Sequence, residues 1–145
     1  MRLYRIAKAE HAQDLSGEGT RLYGGRWTPR GYPVLYTAEH PALATWEVVV
    51  HFGLPIEAAP LDQRLVTLQV PDRAAEQMLR LSDTPADPRR VGLDWLERGT
   101  SLLLEVSSVV IPQPRNVLLN PQHPDMAEVR IEDCCVFAFD GRVSD

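Results

Sequence analysis

The stretch "RLYGGRWTPRGYPVLYTAEHPALATWEVVVHFG", residues 21–53, holds the elements on which the fold reading turns. "YPVLYTA" (32–38) is rich in β-formers and alternates, putting Val34, Tyr36 and Ala38 on one face of a strand. The next run, from Pro41 to Phe52, has proline at a first helical position, Gly53 just past the end and Pro55 beyond it, which predicts a helix over about 41–52. At about 100° per residue, that helix is apolar around most of its circumference. Glu47 interrupts it, beside Leu43, Val50 and His51. A helix apolar nearly all round is normally buried, and a carboxylate there must be paired, protonated or open to a cavity. Alternatively, Glu47, His51 and Ala44 form a narrow solvated strip; periodicity alone leaves both readings open.

Upstream, Gly24 and Gly25 precede Arg26. The pair permits a tight turn before a strand, or close approach of a ligand to the main chain. It matches neither GxGxxG nor a P-loop, which would need a lysine and a hydroxyl residue.

Working outward, "RLYRI" (2–6) reads as an opening strand and the polar segment to Arg21 as loop and turn. "RLVTLQV" (64–70) alternates Val66, Leu68 and Val70 against Leu65, Thr67 and Gln69. A helix is expected from Asp72, acting as N-cap, through "RAAEQMLRL", then a proline-broken loop and a short helix around 93–99. Segments 101–112, 116–121 and 128–140 supply two or three more strands; the last is expected to put Val129, Ile131, Cys135, Phe137 and Phe139 on one face. Strands and helices mix without even βαβ spacing, predicting an α+β fold in one domain, 1–145, around a mixed sheet. At 145 residues, with no internal repeat or dividing linker, the chain can bury about two-thirds of its unfolded surface around one core.

Composition narrows the function. Net charge is -5, Lys8 is the sole lysine, and the arginines are scattered, so the basic stripe of a nucleic-acid reader is missing. Arginine still suits anionic small molecules, because its planar fork engages phosphate oxygens in pairs. No signal peptide is visible, and no run reaches the roughly 18 apolar residues of a membrane helix; a cytoplasmic protein is expected, with no membrane partner. Cys134 and Cys135 are adjacent and the four histidines lack ligand spacing, so neither disulfide nor metal is expected.

Taken in order, "LYGGRW", "GxPVLYTA", "EVVVH" and "VSSVVIPxxRNVLLNPxHPD", framed by "LYRI", "DLSGEGTRLYGGRW" and "FAFD", resemble the RES domain over essentially the whole chain. RES domains are the toxins of RES-Xre toxin-antitoxin pairs. The resemblance implies an ADP-ribosyltransferase-like fold and NAD as substrate rather than cofactor, degraded by cleavage of the nicotinamide glycosidic bond. It also implies an Xre-type helix-turn-helix antitoxin as partner, in a higher-order complex. Carried over residue by residue, the family's arginine falls on Arg26, its glutamate on Glu47, its tyrosine on Tyr36, and its serine on Ser108, with Ser107 adjacent. Arg5, Gly24, Gly25, Ser107 and Asn116 are further substrate-binding candidates, and His123 lies in a family-like motif that fits a functional or a purely structural role. The order departs from that of familiar ADP-ribosyltransferases, whose catalytic glutamate comes late in the chain.

Overall fold

The computed structural model describes residues 1–52, 62–107 and 115–137, with side chains of the second helix described through Glu47. Its strands are β1 (Arg2–Lys8), β2 (Leu35–Ala38), β3 (Gln63–Gln69), β4 (Leu79–Arg80), β5 (Leu103–Ser107), β6 (Arg115–Leu119) and β7 (Arg130–Phe137). The α-helices are α1 (Glu18–Tyr23), α2 (Pro41–Phe52), α3 (Asp72–Glu76) and α4 (Pro88–Arg98). The strands form one seven-stranded sheet in the order β4-β5-β6-β2-β1-β3-β7. All neighbours are antiparallel except β4 and β5, which run parallel. The expected α+β architecture with a mixed sheet is therefore present.

Both faces of the sheet are covered. Leu3, Val66, Leu68, Leu103, Val117 and Leu119 pack on one side with Ala74 of α3 and Met78. Leu104, Val106 and Leu118 face the other side, against Trp27, Val34 and Trp95 of α4. This double burial explains why β5 reads as an apolar run and not as a simple alternation. In β3 the alternation is clean, with Val66 and Leu68 fully buried and Gln69 exposed.

Several boundaries differ from the sequence reading. The segment assigned to loop before Arg21 contains α1, entered from Gly17 in the left-handed region (φ 74°) without a side-chain cap. Pro71, not Asp72, occupies the N-cap of α3, and the helix stops at Glu76. The next residues turn into β4, where pairing with β5 outweighs the local helical pattern. Strand β2 begins at Leu35, later than expected. Helix α4 begins five residues before the expected 93, because Asp87 accepts a hydrogen bond from the Arg90 N–H and Pro88 occupies the first turn.

The face expected for the last strand also needs correction. Thr67 pairs with Asp133 while Leu68 pairs with Ile131, so Glu132 is an extra residue in β7. Such a bulge switches which side chains face inward. Val129 and Ile131 pack on the core as expected, but beyond the bulge Cys134, not Cys135, does so; Cys135 is exposed. Phe139 lies outside the described residues.

Between β1 and β2 the only register contact is Tyr4 with Ala38. Strand β1 pairs along its whole length with β3 on its other side, and β2 does so with β6. The sheet thus has an internal seam. Helix α2 lies across it, with Leu43 and Ala44 buried against Ala38 and packed by Tyr4 and Ile6.

Candidate active site

The seam opens into a cleft. Glu47, the next α2 position past Leu43 by one helical turn, is half-buried above it. The helix does not bury its whole circumference, because Ala42 and Trp46 are exposed, the latter at 50%. Neither is there a solvated strip through Ala44, which is 6% exposed. Glu47 is both partnered and at a cavity. It lines two adjoining chambers of about 190 and 90 Å³ that share Tyr36, Glu47 and Asn116. Arg5 and Thr37 line the larger one. Arg26, Trp27 and Ser107 line the smaller.

Asn116, from β6, donates through Nδ2 to Glu47 Oε1 at 3.1 Å. Its neighbour Arg115 is clamped: the backbone N–H donates to Glu39 Oε1 at 2.7 Å, and the guanidinium donates to the Leu81 carbonyl. Buried Glu105 lies between Arg80, at 3.4 Å, and Arg115, at 3.9 Å. This array holds the segment after β4 against β5. There Thr84 shares a 2.7 Å hydrogen bond with the Ser107 hydroxyl.

Tyr36 lies beneath the glycine turn. Its hydroxyl accepts from the Trp27 N–H at 3.1 Å, and a Cβ on Gly25 would come within 2.5 Å of that oxygen. Gly25 is thus required by close approach of a side chain. Gly24 is required by its backbone, at φ 74°. Burial pushes the Tyr36 phenol above its ordinary pKa, against the opposing pull of the Trp27 N–H and the charges of Arg89 and Arg26. Burial likewise lowers the Arg5 guanidinium, whose Nη1 donates to the Asp14 carbonyl at 2.9 Å. Arg26 itself is exposed at the rim, free to follow a ligand.

The structure therefore gathers Arg5, Arg26, Tyr36, Glu47, Ser107 and Asn116 around one cleft; Gly25 packs on Tyr36, and Gly24 turns the backbone before it, without either glycine lining the chambers. Ser108 lies outside the described residues. His123 is remote from these chambers; its Nδ1 accepts from the Asp125 N–H and caps a 3-10 turn, a structural role. Thr84 and Arg89 were not visible as site residues in the sequence, being 23 and 64 positions from the groups they hold.

A cleft of this composition, at this point of the sheet, coincides with a family match: residues 2–140 fit the RES domain. The chain belongs to the RES domain family. Among similar proteins, a Sphingobium sp. strain YBL2 protein named Prs ADP-ribosylating toxin is 35% identical over 153 residues, spanning 98% of this RES domain chain and 94% of the relative. A Pseudomonas putida KT2440 protein named Toxin Res is 36% identical over 127 residues, spanning 83% and 88%. The fold of this RES domain is similar to a chain in the crystal structure of the M. tuberculosis MbcT-MbcA toxin-antitoxin complex. That match has a TM-score of 0.73 at 21% identity and spans 96% of this chain and 85% of the other.

Proposed function

We propose that this RES domain is the toxin of a toxin-antitoxin pair and cleaves NAD at the nicotinamide glycosidic bond. The observation that carries the reading is Glu47, held by Asn116 at 3.1 Å in a cleft that also receives Arg26 and Tyr36. In NAD the leaving group is already a cationic pyridinium. The C–N bond breaks with its electron pair going to nitrogen, nicotinamide departs neutral, and no general acid is needed, unlike ordinary glycoside hydrolysis.

The catalytic demand is then to stabilise the ribosyl oxocarbenium ion. Glu47 does so electrostatically and holds a ribose hydroxyl, its orientation set by Asn116. Arg26 pairs with the pyrophosphate, aided by N–H groups of the Gly24–Gly25 turn. Tyr36 packs against the nicotinamide ring or the ribose. Ser108, or the adjacent Ser107 whose hydroxyl shares a hydrogen bond with Thr84, holds the substrate or orients Glu47. Arg5 adds positive charge deeper in the cleft.

The acceptor at ribosyl C1′ decides the product: water gives ADP-ribose and releases a proton, phosphate attacks through an anionic oxygen to give the phosphorylated form, and a protein side chain gives mono-ADP-ribosylation, releasing a proton where the attacking group carries one. The name of the Sphingobium relative favours keeping the last as a second reading. An Xre-type helix-turn-helix antitoxin is the proposed partner, and the acidic charge of this chain assigns any operator binding to that partner. Incubating purified protein with NAD and measuring free nicotinamide tests the activity. Nicotinamide release with labelled ADP-ribose in solution supports degradation, and transfer of the label to a protein supports the second reading. Absence of release in both the presence and absence of phosphate and cell extract refutes both.

A further inference from the structure

The two peptide groups flanking Arg26 are each held by a side chain from a different element. On the C-terminal side, the Trp27 N–H donates to the Tyr36 hydroxyl at 3.1 Å, from β2 beneath the loop. On the N-terminal side, the Gly25 carbonyl accepts from Arg89 Nε at 3.1 Å, from the first turn of α4 outside it. The turn also carries its own bond, from the Gly25 N–H to the Thr28 carbonyl at 2.9 Å. Arg89 and Gly92 are three residues apart and so share one face of α4. At Gly92 the helix meets the same loop, for a Cβ there would lie 1.9 Å from the Trp27 carbonyl oxygen. Helix α4 is in turn seated by buried Trp95, whose Nε1 donates to the Ser101 carbonyl at 3.1 Å.

We infer that Arg89 is a positioning residue: by tethering the Gly25 carbonyl to α4, it fixes the backbone from which Arg26 reaches the cleft. Glycine-rich turns sample many conformations, and a long exposed arginine on such a turn would disperse its charge over a wide arc. Two tethers on adjacent peptide groups restrict that arc before ligand arrives, so less ordering remains to oppose binding. The role of Arg89 in NAD cleavage rests on the function proposed above; the tether itself does not.

The test compares Arg89→Ala and Arg89→Lys with wild type, and with Arg90→Ala as an exposed control on the same helix turn. Amide hydrogen exchange of residues 25–27 is read against that of Leu104 and Val106 in β5, and NAD cleavage is resolved into kcat and KM. For Arg89→Ala we expect roughly tenfold faster exchange confined to 25–27, with β5 protection unchanged. We also expect a KM roughly tenfold higher with kcat less affected, as for lost preorganisation of a binding group. Lysine, which can donate to the same carbonyl, should recover part of both. Unchanged exchange at 25–27 in Arg89→Ala overturns the tether. So does loss of protection spread equally through β5. A KM equal to wild type in an enzyme that turns NAD over overturns the positioning role and leaves only the tether. Faster exchange at 25–27 in Arg89→Ala, with a wild-type protein that turns over no NAD, refutes the proposed function and leaves the tether standing.

Discussion

Asn116 Nδ2 and Glu47 Oε1, 69 positions apart in sequence, meet at 3.1 Å and tie a central strand to the helix across the seam. The bond fixes one carboxylate oxygen of a side chain that lines the cleft. A hydrogen bond to a charged group contributes about 1.5–3 kcal/mol. Asn116→Ala should therefore slow nicotinamide release by roughly 10- to 100-fold, since each 1.4 kcal/mol or so is a factor of ten. Wild-type rates in that variant would remove Asn116 from the orienting role.

Glu47→Gln separates charge from shape. The glutamine can still accept from Asn116, so folding should survive, while the electrostatic support of the oxocarbenium ion disappears. The expected loss is roughly 100-fold or more in nicotinamide release, the scale seen on removing a major electrostatic contributor. The melting temperature measured on the same preparation distinguishes this from a structural ion pair, whose disruption would destabilise by several kcal/mol. NAD cleavage at the wild-type rate would defeat the assignment.

Arg26→Lys keeps the positive charge and discards the two-pronged fork. NAD turnover should fall by at least roughly tenfold, with the change mainly in KM, because a point charge cannot engage two phosphate oxygens at once. Exposure of Arg26 predicts little change in melting temperature. A stable variant with unaltered KM would show that the pyrophosphate is held elsewhere.

Gly92→Ala puts a methyl group 1.9 Å from the Trp27 carbonyl oxygen, a backbone atom with no rotamer by which to retreat. Overpacking of this kind costs about 1–3 kcal/mol and displaces α4 from the glycine turn. The melting temperature should drop, and residual activity should fall further than the folded fraction accounts for. Activity falling only in proportion to that fraction would separate the packing of α4 from the geometry of Arg26.

The parts of this architecture written in local pattern are legible in the sequence. Helix α2 carries proline at its start and glycine past its end, and β3 alternates because only one of its faces meets the core. The bulge at Glu132 has no such signature, since it is set by register against Thr67 and Leu68. The start of α4 is legible in Asp87 and Pro88, a capping pair obscured by the neighbouring prolines. Helix α1 is not: it holds a glycine and a threonine within six residues and lacks a side-chain cap, and its helicity leans on tertiary contacts such as the Gly31 N–H donating to the Arg21 carbonyl. At the site, ordered motifs singled out Arg26, Tyr36, Glu47 and Asn116 together. Thr84, bonded to Ser107, and Arg89, bonded to the Gly25 carbonyl, come from a segment with no motif of its own, and only the folded chain brings them near.

The single register contact between β1 and β2 makes the sheet two rafts moored at Tyr4 and Ala38. Helix α2 covers the mooring, with Leu43 and Ala44 packed among Ala38, Tyr4 and Ile6. The chamber lined by Tyr4, Ala38, Ala44 and Glu47 sits at this mooring, so its volume follows the bulk of small side chains there. A chain that zipped these strands together would gain ladder hydrogen bonds and close the space between them.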